Sequence, residues 1–131
     1  SLAQASYQTW EDGPFGTQGP RRGKTISYYA KGPVVGWLLD MRIRQASKGQ
    51  YSLDEVMRHL YRACKATGRG FTDDEFQQTG EQYAGEDMTD FFEYVYTPKP
   101  LDFNSCLKGT GLRVNTLTTA SGKTSYTLTR L

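Results

Sequence analysis

Apolar residues after Tyr51 recur at three- and four-residue steps, the period of one face of an α-helix. They are Leu53, Val56, Met57, Leu60, Tyr61 and Cys64. Ser52 and Glu55 have the spacing of a capping box, and Tyr51 precedes them at the first position of a hydrophobic staple with Val56. Gly68 can adopt the left-handed conformation that ends a helix. The pattern predicts an amphipathic helix over 53–67.

Two more helices follow with the same signals. Thr72 and Glu75 form a second capping box, Phe71 and Phe76 have staple spacing, and Gly85 provides the stop. A third helix is predicted to open at Asp87 or Thr89 and to end before the prolines at 98 and 100. Its apolar positions are Met88, Phe91, Phe92 and Val95. First-turn acids complement the helix dipole and are interpreted as structural: Asp73, Asp74, Glu75 and Asp90.

The most apolar block of the chain is ISYYAKGPVVGWLLD, residues 26–40. Apolar residues surround the predicted helix on more than one side: Val34, Val35, Trp37, Leu38, Leu39, Met41 and Ile43. Such a helix is expected to be central and buried. Pro33 disfavours helical geometry in the residue before it, which argues for a start near Gly32.

The remaining segments read as a loop and a hairpin. Residues 11–24 contain four glycines, two prolines and a basic end formed by Arg21, Arg22 and Lys24, and are predicted to form a mobile loop with solvated charges. Near the C-terminus, two Thr-rich segments with alternating apolar residues flank a turn that contains Gly122, which predicts a β-hairpin.

Composition limits the function classes. A net charge of +2 over 131 residues gives no argument for nucleic acid as a partner, and no apolar run is long enough to cross a bilayer. His59 is the only histidine, and Cys64 and Cys106 are the only cysteines. This set has neither the number nor the spacing of a zinc site, so His59 is interpreted as a partly exposed helix residue and Cys64 as a small buried hydrophobe.

Seven sequence blocks together resemble the glycyl aminopeptidase family of thermolysin-like zinc metallopeptidases, which usually carry a PDZ domain. The blocks are ASYQTW (5–10), ISYYAKG (26–32), WLLDMRIR (37–44), YSLDEVMRHL (51–60), TGRGFTDDEF (67–76), AGEDMTDFFEYV (84–95) and LDFNSCLKGTGL (101–112). In that family the H-E-x-x-H helix and the downstream glutamate that complete the zinc site precede the first block. The resemblance therefore implies that this chain is the helical C-terminal part of a catalytic domain.

The resemblance implies a mainly α fold, a helical bundle at 1–111, with a β-hairpin or linker at 112–131 leading to a following domain. It also implies that the long helix starts earlier, around Ser27, so its boundary stays open. The implied parent is an aminopeptidase that removes small N-terminal residues such as glycine, with zinc in the parent and none in this chain. Its partners would be the N-terminal part of its own catalytic domain and a peptide substrate. Cytoplasmic and periplasmic locations are both consistent with it.

Tyr28 and Tyr29 are the candidate site residues. On the residues alone, tyrosines beside a buried helix are interpreted as packing residues. The resemblance implies that Tyr29, two residues before a Lys-Gly step, donates its hydroxyl to the oxyanion of the tetrahedral intermediate, with Tyr28 beside it. It further implies substrate contacts by Lys31 and close backbone approach at Gly32. The rival interpretation is a noncatalytic helical interaction module related to the peptidase.

Overall fold

The computed structural model describes residues 1–13, 15, 17–22 and 26–131. Within these residues the chain forms seven helices and one antiparallel hairpin, which confirms the mainly α prediction. The elements are α1 (Leu2–Tyr7), α2 (Thr9–Asp12), α3 (Tyr28–Ala46), α4 (Leu53–Thr67), α5 (Asp73–Ala84), α6 (Thr89–Tyr96), α7 (Phe103–Cys106), β1 (Leu112–Thr118) and β2 (Thr124–Arg130). No helix in this part of the chain is long and apolar enough to cross a membrane.

The chain divides into two compact units, Ser1–Leu101 and Asp102–Leu131. In the first unit, α3 contacts α1, α4, α5 and α6 and is the central helix, as predicted. Its inward side chains Val35, Leu38, Leu39 and Ile43 are buried. The aromatic residues of α6 complete this core, with Phe91 and Phe92 stacked edge to face at a centroid distance of 6.0 Å.

Helix α3 begins at Tyr28, directly after Ser27, so the earlier of the two predicted starts is correct. Pro33 therefore lies inside the helix. Proline lacks an N–H, so the carbonyl of Tyr29, four residues earlier, has no intrahelical donor. This loss affects one bond near the helix start, and burial of the apolar residues that follow offsets it.

Helices α4 and α5 have the predicted bounds because their capping boxes form. Ser52 and Glu55 bond reciprocally at the start of α4, and Thr72 and Glu75 do so at the start of α5. Gly68 and Gly85 end these helices in the left-handed conformation, with φ of 69° and 78°. The terminal signals of the sequence were sufficient for both helices.

The predicted apolar stripe of α4 is only partly buried. Val56 and Leu60 are in the core, whereas Met57 and Tyr61 are exposed and Cys64 is half-buried, so the prediction of a buried Cys64 is wrong. The physical reason is that the main packing partners of α4 are α3 and α5, which cover one side of a broad stripe. His59 is partly exposed, as predicted.

The second unit contains α7 and the hairpin, and the hairpin prediction is confirmed. Strands β1 and β2 pair without a bulge from Leu112↔Arg130 to Thr118↔Thr124. Gly122 takes the positive φ of 81° that the turn requires. Helix α7 was not predicted; Asp102 caps it by accepting a bond from Ser105 N at 3.0 Å. The division of domains between 111 and 112 stays a prediction, and α7 groups with the hairpin.

Candidate functional site

The N-terminal end of α3 brings the four predicted site residues into one short segment. Tyr28 and Tyr29 are the first two helical residues, and Lys31 and Gly32 lie in the next turn. The apolar half of the same helix is fixed in the core, so this end is held by a rigid element.

The two tyrosines differ in what their hydroxyl groups contact. Tyr28 is half-buried, and its Oη accepts a hydrogen bond from Thr9 Oγ1 at 3.2 Å. Tyr29 is 60% exposed, and within the described part of the chain no hydrogen bond engages its hydroxyl. The rings stack at a centroid distance of 4.7 Å. Tyr29 therefore presents a phenol donor to solvent while Tyr28 holds its ring from one side.

Phe15 extends this aromatic surface. Its ring lies 5.7 Å from that of Tyr29, centroid to centroid, and it is itself exposed. Two further aromatic side chains of α1 and α2 are almost fully exposed: Tyr7, and Trp10 at 96%. Contact between aromatic rings, as between Phe15 and Tyr29, restricts the orientation of both rings. Trp37 is half-buried, and the most exposed aromatic residues of this region come from the first helices.

Lys31 and Gly32 are the other two predicted site residues. Lys31 is half-buried and forms no ion pair with the described residues. Apart from the residues next to it in the chain and the adjoining backbone of α3, a Cβ atom added to Gly32 or Gly36 would meet no atom within 4 Å. The two glycines lie one turn apart on α3, so this helix has a bare strip that another backbone can approach closely.

An ion pair with a buried carboxylate links the loop after α2 to that helix. Asp12 is 2% exposed, and its Oδ2 accepts a bond from Arg21 Nε at 3.1 Å. Arg21 also bonds Glu11. The prediction that Arg21 is simply solvated is therefore wrong, because the buried carboxylate of Asp12 needs a cation. Part of the predicted loop, including Lys24, lies outside the described residues.

Sequence reasoning also missed a cavity of about 160 Å³ beside α4 and α5. Its lining includes His59, Cys64, Thr67, Arg69 and Glu75. Three of these side chains are already engaged: His59 Nδ1 lies 3.3 Å from Tyr83 Oη, and the Arg69 guanidinium bonds both oxygens of Glu75. No group of three or more His, Cys, Asp or Glu side chains within the described ranges is arranged to hold a metal ion.

Comparisons with protein-family models, with curated proteins and with solved structures give no match to this chain.

Proposed function

We propose that this chain supplies one wall of the substrate cleft of a zinc aminopeptidase, with Tyr29 as the donor to the oxyanion. The supporting observation is the contrast between the two tyrosines: Tyr28 Oη is engaged by Thr9, whereas Tyr29 Oη is exposed on the same rigid helix end. A phenol fixed in this way can donate to charge that develops on a carbonyl oxygen.

In this proposal the zinc ligands belong to the segment that precedes Ser1 in a longer parent protein. The metal would polarise the scissile carbonyl and activate water. Tyr29 stabilises the oxyanion, Tyr28 fixes the ring of Tyr29, and Lys31 contacts substrate. Peptides with small N-terminal residues such as glycine are the proposed substrates.

Two surfaces of the first unit support a covering partner, proposed to be the N-terminal part of the same catalytic domain. Gly32 and Gly36 leave a bare strip on α3, which suits close packing of another element. Tyr7 and Trp10 expose large apolar rings, which suit burial at an interface. The same exposed rings favour the second candidate function, a noncatalytic interaction module.

The sequence that immediately precedes Ser1 in the natural protein separates the two functions. We expect an H-E-x-x-H helix followed by a downstream glutamate, and we expect the longer protein to release N-terminal glycine from short peptides in a chelator-sensitive reaction. A preceding segment without these ligands, in a protein that binds peptides or other proteins without cleaving them, would establish the interaction module instead.

A further inference from the structure

The exposed edge of β2 has the register of a strand that pairs with a copy of itself. Leu131 N donates to Gly111 O and Thr119 N donates to Lys123 O, both at 2.9 Å. Together with the strand register, these bonds identify the odd-numbered positions as those bonded across the hairpin. The backbone N–H and C=O groups of the even-numbered residues therefore point away from the partner strand.

A side-chain amide blocks one of the two edges of the hairpin against pairing with a further strand. Asn104 donates from Nδ2 to Val114 O at 3.0 Å and accepts at Oδ1 from Val114 N at 2.9 Å, so its amide occupies the outer edge of β1 as a neighbouring strand would. On β2 the outward groups belong to Thr124, Tyr126, Leu128 and Arg130. This edge has no proline and no bulge, and Arg130 is its only charge, so the usual protection against pairing is absent.

The side chains of the hairpin also divide by face. One face carries Leu112, Val114, Tyr126 and Leu128, and the opposite face is mostly Thr, Ser and Asn. Tyr126 and Leu128 are 61% and 52% exposed, although Phe103 contacts the Tyr126 ring at 5.6 Å. A two-stranded hairpin with an uncovered apolar face is marginally stable, and additional strands stabilise it.

We propose that two copies of this chain associate through antiparallel pairing of β2 with β2 about a two-fold axis at Thr127. In this register Tyr126 lies opposite Leu128 of the second copy, and Thr124 lies opposite Arg130. Both of these pairs join residues whose backbone groups point outward, so the outward groups of β2 find partners in one four-stranded sheet. Apolar residues meet apolar residues on one face, and no like charges are opposed.

In this register Thr127 lies directly opposite Thr127 of the second copy. Its backbone groups bond β1, so the two Thr127 residues form a non-hydrogen-bonded pair with a Cα separation of about 4.5 Å. This separation permits a disulfide. Ser125 lies opposite Thr129 of the second copy, and the two Ser125 residues would be about 14 Å apart. Ser125 is thus a matched control on the same strand and the same face.

Cross-linking the full chain tests this register. Thr127→Cys, oxidised in solution, should give at least about tenfold more disulfide-linked dimer than Ser125→Cys, with the native chain measured in parallel to correct for Cys64 and Cys106. Equal cross-linking of the two variants would overturn the proposal, as would a native chain that stays monomeric across a sedimentation-equilibrium concentration series.

A charge exchange gives an independent result without added thiols. In the single chain Thr127 faces Asn115, so Lys or Glu at 127 leaves the hairpin without an opposed like charge. In the dimer, Thr127→Lys or Thr127→Glu alone should raise the dissociation constant about fivefold, and an equal mixture of the two variants should restore association. Unchanged association in both single variants would place the interface elsewhere and refute the pairing.

Discussion

The two tyrosines at the N-terminal end of α3 differ in the surroundings of their hydroxyl groups. Thr9 donates a hydrogen bond to the Tyr28 hydroxyl, whereas Tyr29, whose ring stacks on that of Tyr28, is 60% exposed. Sequence reasoning named both tyrosines but did not distinguish their surroundings, because the distinction depends on Thr9, which lies nineteen residues earlier in the chain.

Two glycines give a prediction at the residue scale. Gly36→Ala should stabilise the isolated chain by about 0.5–1 kcal/mol, because alanine is the better helix former and the added Cβ meets no atom within 4 Å outside its own stretch of helix. Gly19→Ala should destabilise it by more than about 1 kcal/mol, since φ is +69° and the added Cβ would lie 2.5 Å from Glu11 O. Urea unfolding of both variants measures these changes. A destabilising Gly36→Ala would show that this strip is already covered.

At the scale of the element, Glu75 joins a helix cap to an ion pair. It accepts a bond from Thr72 N at 2.8 Å, and Arg69 bonds both of its oxygens. The Arg69 bonds, followed by the Thr72 bond, lower the pKa of Glu75 from 4.5 to about 2. The folded state thus keeps Glu75 ionised at a pH where the unfolded chain binds a proton.

The consequence is a pH-dependent contribution to stability. It is complete above the ordinary pKa of 4.5 and decreases as the pH falls toward about 2. Glu75→Gln should therefore flatten the dependence of the unfolding free energy on pH over this interval. Asp74→Asn, which removes an exposed acid from the same helical turn and leaves the Arg69–Glu75 pair in place, is the matched control. Equal slopes for native and Glu75→Gln chains would contradict the assigned role.

The elements that sequence predicted well carry their own end signals. Capping boxes and left-handed glycines are local, so α4 and α5 could be placed within the chain from a few residues each. The sequence left the start of α3 open because two effects compete. Pro33 disfavours helical geometry in the residues just before it, whereas burial of the apolar residues that follow favours the longer helix. Helix α7 was missed because four residues carry too little periodicity. The exposure of Met57 and Tyr61 depends on which neighbours α4 lacks, which no local pattern contains.

At the scale of the whole molecule, the chain supplies few groups for metal chemistry. It contains one histidine and two cysteines, and the His59 ring is already paired with Tyr83. The isolated chain should show no stoichiometric zinc site of catalytic affinity by titration calorimetry, and no peptidase activity in a parallel assay. A tight site with turnover would show that the active centre lies elsewhere than proposed.

The central claim is the different role of two adjacent tyrosines, and paired substitutions in the longer parent protein test it most directly. Tyr29→Phe should preserve folding and zinc content and lower kcat by about a hundredfold to a thousandfold, the usual effect of losing one oxyanion donor. Tyr28→Phe, which keeps the same ring stacking and loses the Thr9 contact, should have a much smaller effect. Near-normal kcat and KM in both variants would show that Tyr29 is not catalytic.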